Sequence, residues 1–416
     1  MFDWLKRTFV ALEDGPFRLL WGGSFFSFVA FFMSNAAQGI VAYDLTRNNG
    51  TVGLVVFGQG IAQLFLAPFG GALADRLPKK PLIMFFQAVI LSVYIAIAVL
   101  IWADVIRVWH LVAGAFVTGM SFSFMGPARQ AYVLDIVMEH RRGNAVALNQ
   151  VALNASRVAG PALAGGLIAW GFTGAGGAYA TMAAFYAVTI VSTFLLPVSL
   201  GSRGQRSVFG DIVGGFQYVA GHPRLRALIP FFILVIMLGM PYVALMPGFV
   251  RNELGGNNAG IAFLLASQAA GGLAASLIVA GLADSPRAMA VYSGAGLLFG
   301  VSLIATAAAP TLWVAAGGMF VSGLGSGGFQ TLNGAVVIRE SDPRYFGRVM
   351  SLTMSGFAMF GLAALPLGFL ADQVGERVTL AGMGVAISAI VVVFTVLLSR
   401  LSRAETRRPA MAEAAG

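Results

Sequence analysis

The chain of 416 residues is 58% hydrophobic and 10% charged, with a mean hydropathy of +0.83. Soluble domains carry about 25% charged residues, so this composition excludes a water-soluble globular protein. Cysteine is absent, which excludes disulfides and cysteine-based metal or redox chemistry. The formal charge of +9 would suggest nucleic acid in a soluble protein, but here it reports where the cations fall along the chain.

The first thirteen residues predict a short interfacial helix, with Trp4, Leu5, Phe9 and Leu12 opposed to Asp3, Lys6 and Arg7. No small-residue cleavage site follows a short apolar core, so a cleaved signal peptide is not expected. Twelve apolar segments follow, near 18–43, 51–73, 81–102, 108–137, 145–170, 178–199, 227–250, 258–283, 287–308, 311–338, 347–370 and 377–399. Each runs to roughly 20 residues or more, the length that crosses a bilayer as a helix, and the short alternating segments of a membrane β-barrel are not seen. The expected class is all-α and polytopic. With a cytoplasmic N-terminus, the inside loops and tails hold 20 Lys and Arg, against Arg47, Arg107, Arg251 and Arg377 outside. Arg129 and Arg157 fall within helices. This positive-inside distribution predicts a multi-pass protein of the plasma (inner) membrane with both termini cytoplasmic, and no nucleic-acid partner.

The longest break in hydrophobicity runs from Leu200 to Arg226 and holds a semi-polar stretch, Ser207 to Gly221, suited to a helix on the cytoplasmic surface. It divides the chain into residues 1–199, a linker 200–226 and residues 227–416, with six segments on each side. Landmarks recur in the same order: Asp75 with Asp284, Gly143 with Gly347, and Pro161 with Pro366, at separations of 209, 204 and 205 residues. Two pseudo-symmetric six-helix bundles are therefore expected, the arrangement used for alternating access. The 53 glycines are read mainly as close helix packing. Gly160, Pro161, Gly165, Pro241, Pro247 and Pro366 are marked in addition as points where helices bend.

The stretch Gly71-Ala-Leu-Ala-Asp75-Arg76-Leu-Pro78-Lys79-Lys80 places one carboxylate and three cations between two apolar segments. Charge beside hydrocarbon is costly, so such a turn belongs at the membrane surface with its members paired. A degraded copy follows half a chain later, Gly281-Leu-Ala-Asp284-Ser-Pro-Arg287. The first copy resembles the signature cytoplasmic loop of the major facilitator superfamily, departing from it at Pro78, where the family usually has glycine. The resemblance implies a conformational latch built on Gly71, Asp75, Arg76, Lys79 and Lys80, with Asp75 facing the start of the eleventh helix near Gly347 and Arg348. A carboxylate at a helix N-terminus gains roughly 0.3–1 kcal/mol. Arg76 would then seek Asp135 or Glu139 at the inner end of the fourth helix.

On the fifth helix, Gln150, Asn154, Arg157, Pro161 and Gly165 recur at helical spacing and share one face. Arg157 lies about 18 Å from the cytoplasmic start of that helix, near mid-bilayer, where an arginine normally meets a partner or a water-filled cavity. No acid is predicted at its depth. It is read either as lining a central cavity for an anionic or electron-rich substrate group, or as a structural arginine bonded to carbonyls and neighbouring amides. Gly160-Pro161-x-x-x-Gly165-Gly166 partially resembles the fifth-helix motif of exporters in this superfamily. With Pro127-Ala-Arg129-Gln130-Ala and Ala145-x-x-Leu-Asn149, it is similar to the drug- and siderophore-efflux branch that includes macrolide and enterobactin exporters.

Other intrahelical amides are Asn35, Gln38, Gln59, Gln63, Gln87, Gln268, Gln330 and Asn333. Each serves as an interhelical hydrogen bond or, for Asn35, Gln38, Gln59, Gln63, Gln268, Gln330 and Asn333 by family analogy, as a wall of the substrate cavity. A titrating carboxylate for proton coupling has one candidate in the outward half, Asp44, whose other reading is a solvated helix-end charge beside Thr46 and Arg47. The scattered His110, His140 and His222 and the lack of a zinc-helix motif, nucleophile elbow or phosphate loop give no support to an enzyme or an ATP-driven pump. The expectation is a monomeric secondary transporter without cofactor, exporting small organic molecules of the drug or siderophore kind by alternating access, with proton antiport as the coupling. The alternative is an uptake permease for an organic anion or small metabolite.

Overall fold

The computed structural model describes residues 10–170, 174–197, 208–282, 285, 287–342 and 345–413. Asp284 and Arg344 lie outside these residues, and the side chains of Asp75 and Arg76 are likewise not described. A single 3-10 turn, Val10–Glu13, opens the described chain; most of the predicted N-terminal helix lies outside it. The spanning helices of the first set are α1 (Gly15–Thr46), α2 (Asn49–Arg76), α3 (Lys79–Trp102), α4 (Val108–Ile136), α5 (Arg142–Ala169) and α6 (Gly174–Phe194). A surface helix, α7 (Val208–Gly221), follows where the semi-polar stretch predicts it. The second set comprises α8 (Pro223–Gly239) continued by α9 (Tyr242–Gly248), then α10 (Asn258–Ala280), α11 (Ala288–Ala307), α12 (Leu312–Glu340), α13 (Phe346–Val374) and α14 (Glu376–Glu413).

Twelve spans are long and apolar enough to cross a membrane, and no strand occurs among the described residues. Their ends follow local chemistry. The Asn48, Asn257 and Thr311 side chains accept the backbone N–H groups of Thr51, Gly260 and Val314, capping α2, α10 and α12. Gly375, at φ 92°, ends α13 in a conformation that side-chain-bearing residues avoid. The seventh span is not one helix. It breaks at Met240-Pro241 and winds into a π turn over Phe249–Glu253, because Pro241 and Pro247 cannot supply the amides that a continuous helix needs.

The two sets repeat their internal pairings. Helix α2 packs on α4 as α10 packs on α12, α3 on α6 as α11 on α14, and α1 on α5 as the seventh span on α13. The sets meet along α2 with α13 and along α5 with α10, two contacts that exchange under the same six-helix shift. The ends of the spans near Gly15, Arg76 and Ser399 form one face, here the terminal face. The ends near Thr46, Asn258 and Val374 form the distal face.

Glycine makes the contact between sets. Gly60 and Gly361 touch backbone to backbone, and a Cβ on Gly361 would fall 2.6 Å from the Gly60 Cα and 3.0 Å from the Val56 carbonyl. Gly53 meets the Ala364 carbonyl in the same way. On α5, Gly165 lies against Ala262 of α10, and Gly160 against the Phe32–Met33 backbone of α1. Gly160 and Gly165, two of the six positions marked as bends, are therefore close-packing contacts in this state. Pro161 and Pro366 lie inside α5 and α13, where each leaves the carbonyl four residues earlier without its helical donor. Replacing Gly361 with Val is expected to destabilise the protein by about 1–3 kcal/mol, the usual cost of overpacking. A lowered melting midpoint in detergent checks this; an unchanged midpoint would mean that the α2–α13 contact is slack.

Candidate functional site and distal gate

The distal face is closed by side chains at helix ends. The carboxylate of Asp372, at the end of α13, accepts the backbone N–H groups of Asn49 (2.7 Å) and Gly50 (2.8 Å), the first two residues of α2. Those amides have no partner within their own helix, and the helix dipole favours an anion there. Asn49 also donates its side-chain amide to Asp372 (3.1 Å) and to Glu376 (2.9 Å). Glu376, only 5% exposed, takes a further hydrogen bond from Asn252 at 2.7 Å. Beside this cluster Arg251 bridges to Asp44 of α1 (2.5 Å) and to Asn258 of α10 (2.5 Å). Arg377 pairs with Glu253 at 2.6 Å and donates to the carbonyls of Ala307 and Ala309.

Asp44 is thus neither a free helix-end charge nor an isolated titrating group: the second set supplies Arg251 as its partner. Asn49, Asp372 and Glu376 are functional candidates that sequence reasoning missed. The signal available was weak, a polar residue at each end of α2 and α13 with no motif to link them.

Below the gate, between the two sets, lies Arg157. Its guanidinium sits over the Phe32 ring of α1 at 5.7 Å, its buried Nε has no hydrogen-bond partner, and Tyr242 of the seventh span is within electrostatic range. No acid pairs with it among the described residues. Asn35 and Asn154 are half-buried, and Gln150 is exposed on the α5 surface. A second buried arginine, Arg129, is 3% exposed and better satisfied. It donates to Ser27 Oγ at 2.8 Å, reaches Met125 Sδ at 3.6 Å and lies over Phe28 at 5.2 Å. The remaining amides divide. Gln38 donates to Ser34 within α1 (2.9 Å), Gln268 to Ser326 (3.0 Å), and Asn333, 2% exposed, accepts the Tyr292 hydroxyl proton (3.0 Å). Gln268 and Asn333 thus join neighbouring helices, Gln38 is tied within its own, and Gln330 is half-buried on α12.

On the terminal face, Asp135 pairs with Lys79 at 2.5 Å, and Lys79 is 4% exposed. Lys80 donates to the carbonyls of Phe194 (2.7 Å) and Leu196 (2.6 Å), neutralising the C-terminal end of α6. Glu139 is exposed, and Arg141 instead binds Glu13 and Asp14, each at 2.9 Å. At the start of α13, Arg348 lies over Tyr345, which stacks on Tyr218 of α7 at 4.2 Å. Gly347 opens that helix after Phe346.

The sequence pattern of the family described as transmembrane secretion effector matches residues 6–413. The chain belongs to that family, within the major facilitator superfamily. The staphyloferrin A transporter of Staphylococcus aureus is 23% identical over 364 residues, covering 86% of this chain and 90% of the relative. The class C tetracycline resistance protein of Escherichia coli is 27% identical over 204 residues, 46% of this chain and 47% of the relative. Among solved structures, a bacterial homologue of the human lysosomal transporter Spinster, in an inward-facing and unoccupied conformation, superposes with a TM-score of 0.73. Its identity is 14%, over 92% of this chain and 95% of that one, a likeness of fold alone.

In this transporter the distal gate is testable because the chain has no cysteine of its own. Asp372→Asn removes the charge from hydrogen bonds worth about 1.5 kcal/mol. A single cysteine introduced as Asn35→Cys should then react roughly tenfold faster with an impermeant maleimide added on the distal side. An unchanged labelling rate would show that the carboxylate does not hold the gate.

Proposed function

We propose that the protein exports small organic molecules of the drug or siderophore kind across the plasma membrane by alternating access, with proton antiport as the coupling. The reading takes residues 1–199 and 227–416 as the moving bundles of a functional monomer, joined by a linker at 200–226, with both termini cytoplasmic. The observation that carries it is Arg157, a cation at the seam between bundles with no acidic partner among the described residues. A desolvated guanidinium without an acid favours a substrate with an anionic or electron-rich group. Relatives named for staphyloferrin transport and tetracycline resistance support this substrate range. Uptake of an organic anion is the second reading, since the same fold serves both directions.

The latch reading extends naturally from the gate. Asn49 faces Asp372 and Gly60 faces Gly361, eleven residues apart on each helix, in one antiparallel register. Fifteen residues further on, that register brings Asp75 level with Phe346, the first residue of α13. Each helix of the pair then carries an acidic residue near its C-terminal end, level with the start of the other. The distal link is made in this state; the terminal link is proposed for the alternate one. For proton coupling, Asp44 is committed to Arg251, while Glu376 is buried without a cationic partner among the described residues. Glu376 is the better candidate.

Everted membrane vesicles holding a pH gradient, challenged with lipophilic drugs and catecholates, test the proposal. Substrate-triggered loss of the gradient is expected, and Arg157→Gln should reduce the rate at least tenfold. Arg157→Lys should fail as well, because it lacks the planar fork. Full activity of Arg157→Gln would remove this residue from the substrate site. Glu376→Gln is expected to retain downhill movement of substrate while releasing no gradient. Accumulation into right-side-out cells without any response in everted vesicles would favour uptake.

A further inference from the structure

A cavity of about 720 Å³ opens in the second set at the terminal face, away from the seam between bundles. Four helices meet there with their polar ends at one level: α8 at Arg224, α11 at Ala288, α12 at Arg339 and Glu340, and α14 at Ser399. From that rim the groove runs along α11 to Leu297 and along α14 to Val391, nine and eight residues respectively. At 1.5 Å per residue this is a depth of about 12–14 Å. Its walls are apolar, through Leu297, Val336, Val391 and Val396. Its floor is made of small residues of α11, and a Cβ built on Gly294 would meet nothing within 4 Å.

The rim and the walls differ in chemistry. Two arginines face one acid there. Glu340 is taken up by Arg224 at 3.3 Å, and Arg339, exposed at the end of α12, has no acidic partner among the described residues. A dry substrate cavity would not place its one uncommitted cation at the water boundary and its apolar wall toward bilayer depth. An amphiphile with an anionic head and a hydrocarbon tail meets both demands. A basic recess between helices at the membrane surface attracts anionic headgroups, at about 1 kcal/mol per cation.

We infer that this groove is a binding site for an anionic phospholipid, its phosphate held at the rim by Arg339 and its upper acyl chain lying along Leu297, Val391 and Val396. The site is separate from Arg157 and is independent of the transport direction.

Native mass spectrometry of the delipidated full chain, titrated with phosphatidylglycerol or phosphatidylethanolamine, tests the inference. Phosphatidylglycerol should bind more tightly, and Arg339→Gln should weaken it by about fivefold, the equivalent of one cation. Gly294→Leu, whose Cβ meets nothing within 4 Å, extends into the floor and should abolish the tightest adduct with both melting midpoint and substrate response preserved. Arg107→Gln on the distal face serves as the control and should change nothing. Equal retention of the two lipids together with no effect of Arg339→Gln would overturn the site. Displacement of the bound lipid by transported drugs would overturn it too, marking the groove as a substrate vestibule.

Discussion

The close approach of α2 and α13 is the constraint on which the rest of the structure depends. Lipid offers no hydrophobic drive for two helices to associate, so contact requires backbone proximity and polar bonds between them. Gly53, Gly60 and Gly361 provide the proximity. Once they touch, the register is set, and Asp372 has to sit on the opening amides of α2. The second seam, Gly165 against Ala262, closes the opposite side of the same face. Packing along these seams brings Asp44 to Arg251 and Asn49 to Glu376. The polar gate is a consequence of the glycine contacts more than their cause.

The two intramembrane arginines illustrate how differently one residue type can be used. Arg129 is surrounded by its own bundle and has a hydroxyl, a thioether and an aromatic face as partners. Its charge is dispersed into structure. Arg157 stands at the seam with an aromatic face on one side and a tyrosine from the other bundle nearby. It also lies four residues before Pro161, so its own carbonyl lacks the usual helical donor. Both its side chain and its backbone are therefore left with bonding capacity at one point of the seam between the two sets.

The spans were legible because hydrocarbon thickness imposes a length and an apolar composition that no soluble helix needs. The break in the seventh span was foreshadowed by Pro241 and Pro247, since proline acts locally. The surface helix α7 was legible for a similar reason, from the semi-polar run between Ser207 and Gly221. Arg157 stood out on depth alone. The distal gate was not legible. Asn49, Asp372 and Glu376 look like ordinary polar helix ends, and only tertiary packing joins residues more than three hundred positions apart. Asn333 shows the converse, a conspicuous intramembrane amide that proves to satisfy Tyr292.

The Gly60–Gly361 contact does not lie midway along α2. Eleven residues separate it from Asn49 and sixteen from Arg76, arms of roughly 17 Å and 24 Å at helical rise. If the helix pair rocks about that contact as a rigid lever, the terminal end sweeps about 1.5 times as far as the distal end. A small parting at the distal mouth then corresponds to a wider one at the terminal mouth. Steric resistance to a bulky molecule would then be lower at the terminal mouth than at the distal one, whichever way the molecule moves.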